Sequence, residues 1–124
     1  IAQDFVNDIA PHYVYFSTYL LDDLDVDTNE DLFEASLKLI KANRIKKANK
    51  ILLKLYKSSK PSYVISYDLA LTYEALGNLE KALSLYEQAE DIAITQGEVL
   101  QDIEKAINRV KKNIQELKKA RKQI

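Results

Sequence analysis

The residues best spaced for chemistry in this chain are carboxylates. Asp23, Asp25 and Asp27, followed by Glu34, stand at the ligand spacing of a helix-flanked calcium loop. Such a loop needs Gly at its sixth position for a sharp turn and an apolar residue two places later; this chain has Thr28 and Glu30 there. The same acids also suit the start of a helix, where carboxylates meet the exposed N–H groups and the positive end of the dipole. The capping account explains them with fewer exceptions, and a calcium-responsive element at 23–34 is the alternative.

Other chemistry finds fewer supports. His12 is the only histidine and Cys is absent, so neither a zinc site nor a Ser–His–acid or Cys–His arrangement can be assembled. The two glycines, Gly77 and Gly97, make no phosphate-cradling loop. The eight Tyr are of the type that fills cores and grooves. These features predict a protein that is not an enzyme and uses no cofactor or metal.

The elements that hold such residues must be helices. Among 124 residues there are only two Gly and two Pro, with 47% apolar and 30% charged side chains, which favours long helices on short turns around one core. No apolar run is long enough to span a membrane. Met is absent and Ile1 comes first, which predicts a fragment of a longer protein or a processed form. Net charge is −1, but the charge is segregated: nine carboxylates and no Lys or Arg from Ile1 to Glu34, then nine basic residues and no acid from Lys38 to Lys60. Such blocks are solvated helix faces or complementary surfaces.

Ile1, Phe5 and Ile9 have helical spacing up to Pro11, and the aromatic and β-branched run His12–Leu21 predicts a short strand. Asp22–Asn29 is a connector, with Asp27 or Thr28 as N-cap of a helix running to about Ala42. A turn at Asn43 leads to a second helix, about Arg44–Tyr56, closed by Ser58-Ser59-Lys60-Pro61. A third helix spans about Ser62–Leu76. Gly77-Asn78 turns into a fourth over Leu79–Thr95, and a long helix covers Glu98–Lys122.

The second of these hairpins carries Leu69, Ala70, Tyr73, Gly77, Ala82, Tyr86 and Ala89, and on those residues it resembles a tetratricopeptide repeat (TPR). Shifted back by 34 residues, Ala82 falls on Ala48, Tyr73 on Leu39, Tyr86 on Leu52, Ala89 on Leu55, Ala70 on Ser36 and Gly77 on Asn43. The first hairpin is thus a degenerate copy. Departures from the family pattern are Ser66, where the first copy has bulky Leu32, and the placing of Pro61. The expected fold is all-α, a TPR-like stack. An N-terminal region covers 1–28, two hairpins cover 29–62 and 63–96, and a capping helix covers 97–124.

The resemblance implies a module that binds a protein or peptide in a concave groove lined by the first helix of each hairpin. By position that nominates Phe33, Glu34, Leu37, Ile40 and Lys41, then Val64, Tyr67, Asp68, Leu71 and Glu74. The family's best-known groove holds a terminal carboxylate with Lys, Asn and Arg. Here the corresponding places carry Glu30, Phe33, Glu34, Leu37, Val64, Tyr67, Asp68 and Leu71, which would repel one. An apolar floor with acidic edges suits a hydrophobic or basic segment instead. The chain's own Tyr-rich N-terminal segment is a competing occupant.

In the last helix Leu100, Ile103, Ile107, Val110, Ile114, Leu117, Arg121 and Ile124 follow steps of three and four, a heptad seam broken at Arg121. Its first half would pack on the second hairpin. Val110, Ile114, Leu117 and Ile124 would project beyond it and call for a partner, with a second copy of the chain or an upstream domain as candidates. Nucleic acid is disfavoured, since Glu104 and Glu116 interrupt the Lys residues. A structural homo-oligomerisation module with no separate ligand is the alternative to an interaction scaffold.

Overall fold

The computed structural model describes residues 16–122. It consists of α1 (Glu30–Lys41), α2 (Ile45–Ser58), α3 (Tyr63–Ala75), α4 (Leu79–Thr95) and α5 (Gln101–Lys122). Each helix packs on the next in chain order, which makes a stack of two hairpins closed by α5. Among the described residues no strand forms. Phe16 and Ser17 end a helical turn, Tyr19 N–H donates to the Phe16 carbonyl, and residues 20–29 are irregular. The expected strand over Phe16–Leu21 is therefore corrected. With no sheet edge to pair with, the aromatic side chains bury themselves singly: Phe16 joins the core and Tyr19 packs against it. The rest of that expectation, with the helix proposed before Pro11, lies outside the described residues.

The 34-residue register is visible in the turns. Asn43 and Gly77 both take the left-handed conformation, at φ 64° and 86°. In both, the next residue's N–H closes the helix end on an equivalent carbonyl, Arg44 to Leu39 and Asn78 to Tyr73. The equivalent pairs Ala48 and Ala82, Leu52 and Tyr86, Leu55 and Ala89 are all buried. The fourth helix starts at Leu79 as expected, and the other helix starts differ from expectation by one to three residues, the last beginning at Gln101 rather than Glu98. The N-cap of α1 is Asn29, whose side chain accepts from Leu32 N–H, with Glu30 and Asp31 in the first turn. Ser62 caps α3 and Asn78 caps α4 in the same way.

α3 is apolar around most of its circumference because it is covered on all sides: by α2, by α4 and by the segment before α1. Gly77 faces open space, so a methyl group there meets nothing and only the backbone conformation resists it. Gly77→Ala is accordingly expected to cost about 1 kcal/mol, readable as a lower urea midpoint with unchanged slope. No loss would mean that the turn relaxes out of the left-handed region.

Candidate functional site

Of the ten residues assigned to a groove, eight lie sealed from solvent on the inner faces of α1 and α3. Phe33, Leu37 and Ile40 are buried in the first hairpin; Val64, Tyr67, Asp68, Leu71 and Glu74 are buried in the second. Only Glu34 and Lys41 are exposed. The cover over α3 is the chain itself. Tyr19, Leu20, Leu21, Leu24 and Val26 pack on the core as a strap, and Phe16 is buried at its head.

Three polar anchors hold the strap. Leu21 N–H donates to Asp68 Oδ1 at 3.0 Å. Asp25 sits at the N-terminus of α3, where Oδ1 accepts from Ser62 Oγ and Oδ2 accepts from Tyr63 N–H and Gln96 Nε2, both at 3.0 Å. A carboxylate there satisfies an otherwise unpaired helix donor and faces the positive end of the dipole. The third anchor is Tyr19, whose ring lies 4.2 Å from the Arg109 guanidinium of α5.

Arg109 also closes a buried network. It forks the Glu74 carboxylate, Nε to Oε2 at 2.7 Å and Nη2 to Oε1 at 2.8 Å, while Tyr86 Oη donates to Oε1 at 2.7 Å. Tyr67 meets Tyr86 edge-on, with ring centroids 5.2 Å apart. Burial first, and Glu74 next, pushes the Tyr86 hydroxyl upward; burial likewise raises Tyr67. For Arg109 burial opposes the charge, but the Glu74 hydrogen bonds outweigh it and the guanidinium stays protonated. Asp68 is fully enclosed, which raises its pKa; the Leu21 N–H opposes that shift and Asp22 adds to it. Asp68 Oδ2, Tyr67 Oη and Ser66 Oγ are buried without a hydrogen-bond partner among the described residues.

The carboxylates of the calcium spacing do not converge. Asp25 is committed to protein donors, Asp23 and Asp27 are exposed, and Glu34 points outward from α1. Among the described residues no three His, Cys, Asp or Glu side chains are grouped to hold a metal ion.

The seam is shorter than its spacing suggests. Ile103, Ala106, Ile107 and Val110 are buried, so Val110 does not project. The reason is that α4, 17 residues long or about 26 Å, covers more of α5 than the faces around Leu83 and Tyr86 alone. Ile114 is half-buried, Leu117 is 48% exposed, and Ile124 lies outside the described residues. Leu117 stands between two clefts at the α3–α4 turn, of about 300 and 450 Å³, the larger reaching Phe16.

Comparison with known families, with curated proteins and with solved structures finds no match to the chain. Its function therefore rests on the site itself. No helix among the described residues is long and apolar enough to cross a membrane.

Sequence spacing missed the residues that join the strap to the stack: Tyr19, Asp25 and Arg109. Asp25 looked like a ligand or part of a connector, and Arg109 received no reading at all. Neither position carries a periodic signal, because each acts across a long stretch of chain.

Proposed function

We propose that this chain is a TPR-type scaffold for protein–protein interaction whose α3 face takes a non-helical polypeptide segment. The observation that supports this is the strap: the face already holds such a segment through one backbone N–H, one aromatic ring and one carboxylate. The partner segment it suits repeats that pattern. It has an aromatic residue for Arg109, a backbone N–H two residues on for Asp68, and an acid four residues later for the start of α3. The strap is then an occupant in cis that a partner segment must displace, so an external segment binds in proportion to the fraction of open strap.

The test uses the full chain and a fluorescent peptide copying residues 16–28. Asp25→Ala removes one anchor from the strap but not from the peptide. Anisotropy should show the variant binding the peptide at least about tenfold more tightly than the wild type, since opening is the step it favours. No binding by either protein, with both still folded by circular dichroism, would defeat the groove reading.

A self-association module is the second reading, favoured by Leu117. With Val110 buried, the seam variant that leaves the core intact is Leu117→Ser alone. A dimer that dissociates in this variant would support the seam; an unchanged mass would remove it.

A further inference from the structure

Among the described residues α1 is the end of the stack: it packs on α2 and makes no comparable contact with another helix. Its inner face is Phe33, Ser36, Leu37 and Ile40. On its flank Leu32, Ala35 and Leu39 fall at i, i+3 and i+7, one stripe of a helix; all three are half-buried, Leu32 and Leu39 packing one edge against the core and leaving the other open. Ile51 of α2 is likewise half-buried and packs against the core. It lies on the side of α2 opposite Asn49 and Tyr56, which hydrogen-bond inward to Thr72 and Gln88. In a longer stack a further hairpin would cover this end, and stacks that stop need a polar end face.

Beside the stripe runs an exposed row, Asp31, Glu34, Lys38 and Lys41. Its first half is acidic and its second half basic, and none of the four is ion-paired among the described residues. Glu34 and Lys38 are one helical turn apart, yet they do not pair with each other. A row of this polarity is complementary to its own reverse.

From this we infer that the outer flank of α1 is the interface of a two-fold dimer, α1 lying antiparallel to its copy about an axis near Ala35 and Ser36. A two-fold contact is self-complementary by construction. In this register Asp31 faces Lys41 of the partner subunit, and Glu34 faces Lys38 of the partner subunit. Leu32 meets Leu39 of the partner subunit, and Ala35 sits at the crossing, where a small side chain lets the helices approach closely. The apolar stripe supplies burial and the charged row fixes the antiparallel register. The two-fold keeps the charged flanks of both helices on the same side, so all four pairs form together.

The test needs no added ligand: the mass of the full chain is followed by light scattering and by sedimentation equilibrium over a range of concentration. The wild type is expected to dimerise. E34K and K38E each turn attractive contacts into repulsive ones and should weaken the dimer at least about tenfold. An equimolar mixture of E34K and K38E should dimerise again, because each variant supplies the sign the other lacks. A pairing within one helix cannot give that rescue. Circular dichroism of each variant alone checks that the fold survives, and L117S should leave this dimer intact. A wild type that is monomeric throughout, a mixture no tighter than either variant alone, or a dimer lost in L117S instead would each overturn the assignment.

Discussion

Arg109→Ala is expected to destabilise the fold by about 3–5 kcal/mol, the usual cost of removing one partner of a buried ion pair. The Glu74 side chain is only 2% exposed and takes two of its hydrogen bonds from this guanidinium. Without them a carboxylate stays buried with the Tyr86 hydroxyl as its remaining donor. The strap loses its aromatic anchor in the same step, because Tyr19 packs on Arg109. Arg109→Lys should recover only part of the loss, since an ammonium cannot fork both carboxylate oxygens. Changing Glu74→Leu and Arg109→Leu together should cost much less than the sum of the single changes. Guanidinium denaturation of the wild type and these five variants checks this. A loss below about 1 kcal/mol for Arg109→Ala would place the pair among solvated surface bridges.

What the sequence made legible follows from the range of each interaction. The hairpins came from local signals: apolar spacing, the left-handed turns at Asn43 and Gly77, and small Ala48 and Ala82 where helices meet closely. These act within a few turns of chain, and spacing reports them. The strap is different. Leu21 reaches Asp68 across 47 residues and Gln96 reaches Asp25 across 71, and no periodicity encodes such a pair. Aromatic and β-branched density over His12–Leu21 therefore suggested a strand, though Tyr19 itself takes a cation as its partner. Spacing placed Phe33, Leu37 and Ile40 with the α3 residues on buried faces but put Glu34 and Lys41, which are exposed, beside them, and spacing alone could not show that the chain covers α3 itself. At Val110 the error was one of reach, because the cover provided by α4 depends on where α5 docks along it.

The second large effect is a dependence on pH centred on Asp68, and it couples stability to the strap. Enclosure of the carboxyl disfavours its charged form, so the folded chain holds this proton to a higher pH than the unfolded chain, where the value is near 3.8. Below that value both states are protonated and the site carries no penalty. As pH rises from there to the folded value, the unfolded chain binds fewer protons than the native one. Stability then falls, by at most about 1.4 kcal/mol per pH unit, and above the folded value the loss is constant. Asp68→Asn isolates this contribution, since the amide oxygen can still accept from Leu21 N–H while nothing titrates. The variant should match or trail the wild type near the unfolded value and exceed it in stability at higher pH, the gap opening until Asp68 ionises in the folded chain and staying constant beyond. Urea denaturation at a series of pH values measures that gap directly. A difference that does not change with pH would mean that Asp68 titrates alike in both states, with water reaching Oδ2 in the folded chain. The expected slope, in contrast, shows that enclosure of the Asp68 carboxyl outweighs the Leu21 N–H, which favours its charged form.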